Sequence, residues 1–205
     1  REYLLGVYLT NFLWAHHLDL SAFFEERFLP LLPAGARIRE LAPGHGGWGL
    51  WALAETPGAT LDGFDISRAS LGIAPAIRDA AGLSERATYH LADALQLPEV
   101  ADASSDACIC CFLVEHLETP ERLLQNMARI LRPGGMAFFT GALTAAQVDH
   151  IKEFKRESEL VLLAEEQGFR VLDMRSVGPR RTLPKARFLP RSAAFILQKR
   201  FQDSW

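Results

Sequence analysis

Cysteine is scarce in this chain of 205 residues: there are three, Cys108, Cys110 and Cys111, and all fall in one apolar run, 107–114. Neighbours on a strand point to opposite faces, so no paired thiol framework forms there, and the separated pairs of a zinc site are missing. The three are read as small buried hydrophobes in a reducing, cytoplasmic setting. The same run is the longest strongly apolar stretch. It is far short of the ~20 residues that span a bilayer, and no membrane segment is expected. A charge excess is missing too, since a formal net charge of -3 argues against a general nucleic-acid binder. Repeats, low-complexity tracts and linkers are absent, so one domain over 1–205, large enough for a single core, is expected. The chain opens on Arg1 with neither an initiator methionine nor a signal peptide, as a trimmed chain or a domain of a longer protein would.

What is present alternates. Residues 1–35 read as a helical preface or lid, with Leu5, Tyr8, Leu9, Phe12 and His16 on one stripe. A second short helix is then capped near Asp19 or Ser21 and ended by Pro30 and Pro33. Strands are expected at 36–41, 60–64, 87–91, 107–114 and 136–140, with helices beginning at Trp48, at Ser67 (kinked at Pro75) and after Pro120. The run 107–114 lacks alternation, as a central strand covered on both faces would. A helix over 144–167 ends at Gly168, and strands at 170–177 and 193–199 close the chain.

The organising stretch is 37–49, where an apolar run meets Glu40 and then turns through Gly44, Gly46, Gly47 and Gly49 into a helix. Glycines there allow positive φ and let a ligand approach backbone amides at the helix N-terminus. Gly44-x-Gly46-x-x-Gly49, with an acid at Asp65 one strand-helix-strand unit later, satisfies a dinucleotide fingerprint, and by itself leaves an NAD-type oxidoreductase open.

The company of that loop narrows the reading: Glu40 and Asp65 closing two strands, Ala92-Asp93-Ala94 after the third, and Leu131-Arg132-Pro133-Gly134-Gly135 before the fifth. Together these resemble the class I S-adenosylmethionine-dependent methyltransferases over about 36–199. The resemblance implies an α/β fold, a doubly wound Rossmann-like mixed sheet of seven strands in the order 3-2-1-4-5-7-6. It implies a cofactor-binding half at 36–140 and a substrate-side half at 141–205. It also implies that Ala42, Gly44 and Gly46 pack on the methionine part of the cofactor and that Asp65, with Ile66 beside it, holds the ribose. Asp93 and Ala94 would meet the adenine, Leu113 and Val114 would lie under the sulfonium, and Glu40 would organise the loop. The departure is Ala42, where the family has glycine. The structural alternatives are that Asp65 caps the helix at Ser67 and Asp93 caps the turn before Leu95.

Methyl transfer is an in-line displacement, so positioning the acceptor and removing its proton are the protein's tasks. His16, His17, His45 and His116 are the candidate bases, His116 first. Val114-Glu115-His116-Leu117-x-x-Pro120 resembles methyltransferases of ubiquinone-biosynthesis type, where neighbouring acids help bind a metal. Phe112 stands where such a site has another acid, so no metal is expected. Tyr3, Tyr8, Trp14, His16 and His17 are the preface's candidates for an acceptor pocket. From 170 to 200 nine Lys or Arg face one acid, Asp173. That is a solvated face, or, through Arg180 and Arg181, a grip on an anionic or carrier-linked acceptor. The expected activity is methyl transfer to a small molecule of specialised metabolism. The rivals are the oxidoreductase, and a scaffold or cyclase of the same fold that moves no methyl group.

Overall fold

The computed structural model describes residues 15–145, 149–179 and 189–201, with side chains from His17 onward. Its middle strand is β4 (Ser105–Cys111). Ala107 and Ile109 pack with Ile38, Leu53, Phe138 and Ile196 on one side; Cys108 and Cys110 pack with Leu41, Leu124, Met127 and Phe139 on the other. A strand with two cores has no polar face, which is why its sequence does not alternate. β1 (Arg37–Leu41) and β5 (Leu131–Leu143) pair with it in parallel. β2 (Thr60–Asp65) and β3 (Ala87–Leu91) extend one wing. On the other wing β7 (Arg191–Lys199) runs antiparallel between β5 and β6 (Phe169–Val177). The order is β3-β2-β1-β4-β5-β7-β6, as expected.

Helices cover both faces. α1 (Ala15–Phe23), α2 (Gly47–Glu55), α3 (Ala74–Ala80), α4 (Pro120–Ile130) and α5 (Glu157–Glu166) follow in chain order. In α4 the 3–4 spacing of Leu123, Leu124, Met127 and Ile130 puts all four side chains fully inside. Each such burial is worth about 1.5–3 kcal/mol. Among the described residues no helix is long and apolar enough to cross a membrane.

Five local expectations are corrected. α1 does not break at Asp19 or Ser21; it runs into a π-turn, Phe24–Phe28, and a 3₁₀ turn, Leu29–Leu31. The wider turn keeps Phe23, Phe24 and Phe28 all buried, and this burial overrides the capping preference. Pro75 sits in the first turn of α3 instead of kinking a longer helix, because its missing N–H is harmless there. β4 stops at Cys111, so Leu113 and Val114 lie past its end. β5 starts at Leu131, which draws the Arg-Pro-Gly-Gly turn into the strand beside an irregularity between Ser105 and Ala107. Among the described residues the helix expected over 144–167 is confined to α5, because Phe154 is buried and bridges Leu143 in extended form.

Candidate functional site

Beyond β1 the chain turns through three left-handed residues, Ala42 (φ 52°), Gly44 (57°) and Gly46 (77°), before α2 begins. For alanine that conformation costs about 1–2 kcal/mol, so position 42 has glycine geometry although it carries a methyl group. The Ala42 amide donates to Phe64 O at 2.8 Å, which ties the turn to β2. Gly46 is obligatory for another reason: a Cβ there would stand 2.6 Å from Tyr89 Oη.

Asp65, 6% exposed at the end of β2, accepts the Gly44 amide on Oδ2 at 3.0 Å and the Ser67 amide on Oδ1 at 2.8 Å. Capping Ser67 and serving the loop are therefore the same arrangement, and each carboxylate oxygen keeps a further lone pair for a ligand hydroxyl. Ile66 next to it is 73% exposed, an apolar platform at the mouth of the sheet. Asp93 accepts the Leu95 amide on Oδ1 at 2.9 Å, and the Ala94 carbonyl is held by Asn126 Nδ2 at 2.7 Å. Leu113 is partly buried, whereas Val114 is fully buried in the core, so Leu113 is the residue with surface to offer.

Glu40 lies beneath this loop, 2% exposed. Its Oε1 accepts the Gly49 amide at 3.0 Å, while Oε2 has no partner among the described residues, nor has the buried Tyr89 hydroxyl. Burial pushes the Glu40 carboxyl up to about 8 and holds the Tyr89 phenol above its ordinary range. His45 accepts the Gly47 amide on Nδ1 at 3.0 Å, and burial lowers its pKa to about 4, so its ring is neutral. Folded Glu40 keeps its proton to about pH 8 where an unfolded glutamate loses it near 4.5, so its contribution makes stability fall with rising pH across that window. His45 acts oppositely between 6.5 and about 4, where the unfolded chain takes up the proton first. The two slopes cancel below 6.5. Chemical denaturation is expected to show a near-plateau there and then a fall toward pH 8 at about 1.4 kcal/mol per unit. Glu40→Gln keeps an acceptor for Gly49 and is expected to reduce that fall, leaving the part due to buried Glu115; an unchanged slope would show that Glu40 does not titrate there.

The C-terminal ends of β4 and β5 hold a second cluster. Phe112 (φ 53°) donates its amide to Thr140 Oγ1 at 3.0 Å and stacks on His17 of α1, centroids 5.4 Å apart and planes within 7°. The 3₁₀ turn Val114–His116 follows. His116 Nδ1 lies 2.9 Å from the Asp149 carbonyl, and because a carbonyl only accepts, that nitrogen carries the proton and leaves a lone pair on Nε2. Glu115 is 1% exposed; its carbonyl accepts the Ile151 and Lys152 amides, which clamps 149–152 onto the turn. Burial holds its carboxyl above the ordinary range.

Tyr3, Tyr8, Trp14, Arg180 and Arg181 lie outside the described residues, as does the ring of His16. Three of the described cations of the basic stretch have structural partners: Arg175 lies over the Phe23 ring, Arg191 pairs with Glu157 and Lys199 donates to Leu131 O. A cavity of about 640 Å³ opens between α1 and α2, with Leu18, Glu25, His45, Trp48 and Trp51 among its walls. Among the described residues its lining includes the back of the glycine loop but not Asp65, Asp93 or His116. Tyr89, Asn126 and His150 were not singled out from sequence; Tyr89 alternates out of a short strand like any apolar residue, and the other two are placed by distant segments.

A doubly wound sheet in this order, with a glycine loop after β1 and acids closing its first strands, defines the Rossmann-like methyltransferase class of fold. Residues 40–139 match the family described as Methyltransferase domain. The chain is 32% identical over 118 residues to methyltransferase GfsG of Streptomyces halstedii, covering 58% of this chain and 42% of that protein. It is 28% identical over 172 residues to the O-methyltransferase resE of Aspergillus sclerotiorum, covering 78% and 64%. A putative methyltransferase from Bacillus halodurans superposes with a TM-score of 0.74 at 16% identity, covering 89% of this chain and 99% of that one. The [4+2]-cyclase SpnF superposes at 0.73 with 18% identity, covering 91% and 82%. The chain is thus similar to methyltransferases in sequence over its first strands and in fold over most of its length. It spans roughly half the length of the curated relatives, 42% of the first and 64% of the second.

Proposed function

We propose that this chain binds S-adenosylmethionine and transfers its methyl group to a small-molecule acceptor. The observation that carries the reading is Asp65, whose carboxylate fixes Gly44 of the left-handed loop and stands beside exposed Ile66 at the end of β2. Ligands bind at the carboxyl ends of strands in sheets of this kind. Asp65 would hold the ribose hydroxyls, Asp93 and Ala94 the adenine, and the amides of the loop the amino-acid part. The bound cofactor supplies a methyl carbon already activated by a sulfonium. The protein's share is alignment and proton removal. Leu113 and the His17–Phe112 stack would wall the acceptor side, and His116 would present Nε2 to an acceptor proton.

Calorimetric titration tests the reading. One equivalent of S-adenosylhomocysteine with no uptake of NAD is expected; NAD binding would favour the oxidoreductase instead. A second reading, a cyclase or scaffold of this fold, draws on Ala42, whose methyl group occupies a glycine position in the loop. Tight S-adenosylhomocysteine binding with no methyl transfer to hydroxyl, amine or carbon acceptors would favour it.

A further inference from the structure

We propose that Glu115, His116 and His150 form a binding site for one divalent transition-metal cation of the zinc class. One ligand atom from each lies within 4.8 Å of the others. A tetrahedral ion with bonds of about 2.0–2.1 Å wants its donors roughly 3.3 Å apart, so at most about 1.5 Å has to close.

Three independent features make this a prepared site and not a chance meeting of polar groups. Both imidazoles have their Nδ1 committed to backbone carbonyls, His116 to Asp149 O at 2.9 Å and His150 to Ala145 O at 2.6 Å. A carbonyl accepts only, so both rings are held in the tautomer that leaves Nε2 as a lone pair, which is how metal-binding histidines are oriented. The two rings meet edge to face, centroids 5.0 Å apart. Glu115 is 1% exposed, and its Oε2 has no hydrogen-bond partner among the described residues, facing Gly141 of β5. A buried carboxylate oxygen without a donor is costly, and a cation beside the two lone pairs would satisfy it.

The donor set selects the ion. Two imidazoles and one carboxylate suit zinc and neighbouring first-row metals, whereas magnesium and calcium prefer oxygen alone. Three protein ligands leave a fourth position open. Resting on the methyl-transfer reading, that position would take the acceptor's oxygen, and coordination there would lower the pKa of a bound hydroxyl so that solvent water can take its proton. His116 then acts as a ligand and not as the proton acceptor. No metal was expected from sequence because Phe112 occupies an acid's position; the missing ligand comes instead from His150, on the segment clamped to Glu115 by the Ile151 and Lys152 amides.

The test uses the full chain without a histidine tag, stripped with EDTA and titrated with cobalt(II) near neutral pH. Uptake of one equivalent, with the visible bands of four-coordinate cobalt, is expected, together with a loss of affinity of at least about tenfold in His150→Ala. S-adenosylhomocysteine titrated into the same samples is expected to bind wild type and His150→Ala alike, which verifies folding and separates this proposal from the cofactor reading. No stoichiometric uptake by the wild type, or uptake unchanged in His150→Ala, overturns the site.

Discussion

Asp65→Ala is expected to weaken S-adenosylhomocysteine binding by a factor on the order of a hundred. The carboxylate would make two charge-assisted hydrogen bonds to the ribose, each worth about 1.5–3 kcal/mol when its partner is removed, and water recovers part of the loss. The same side chain already binds the Gly44 and Ser67 amides, so alanine also loosens the turn that presents the loop. Asp65→Asn separates the two contributions. Its amide oxygen retains an acceptor for one backbone donor and fits the same space, but it loses the charge and one acceptor. If the carboxylate grips the cofactor, calorimetry returns weak binding for both variants while asparagine lowers the unfolding midpoint less than alanine. Asparagine binding at wild-type strength would reduce Asp65 to a loop brace, and alanine doing so would remove it from the site.

The sheet was legible because its signals are local and strong. The unalternating run through Cys108 and Ile109 marks a strand with two cores, and Pro120 followed by Leu123, Leu124, Met127 and Ile130 marks a helix with one. The positions of Glu40, Asp65 and Asp93 were legible for the same reason, Glu40 and Asp65 at the ends of β1 and β2 and Asp93 just past β3. What escaped is set by contacts between remote segments. Phe154 keeps 149–156 out of a helix by packing inward beside Leu143, a choice made by tertiary burial and not by local propensity. The π-turn at Phe24–Phe28 follows from three phenylalanines competing for one core. His150 reaches Glu115 only because the Glu115 carbonyl captures two amides of a polar stretch, a contact with no periodicity to announce it.

Phe138→Ala is expected to cost about 3–5 kcal/mol, the largest stability loss of any single change proposed for this chain. Phe138 lies on β5, fully buried, on the α1 and α2 face of the sheet. Its ring centroid is 4.7 Å from Phe24, 5.4 Å from Phe28, 5.6 Å from Trp48 and 6.3 Å from Phe23. Three of these partners belong to the preface and one to the helix that the glycine loop opens. Alanine would leave a cavity that these rings, already packed against one another, cannot close by rotation alone. The unfolding midpoint should fall by roughly 6–20 °C at about 2–4 °C per kcal/mol. Leu162→Ala, at a side chain 58% exposed on α5, should stay within about 0.5 kcal/mol of wild type. The two losses also differ in what they move. With Phe138 gone the preface loses its anchor on the sheet, so the His17 stack on Phe112 is expected to loosen and hydrogen exchange in α1 to rise more than in α4. An exchange increase spread evenly over both helices would mean that the ring cluster stabilises the fold as a whole and does not hold the preface in particular.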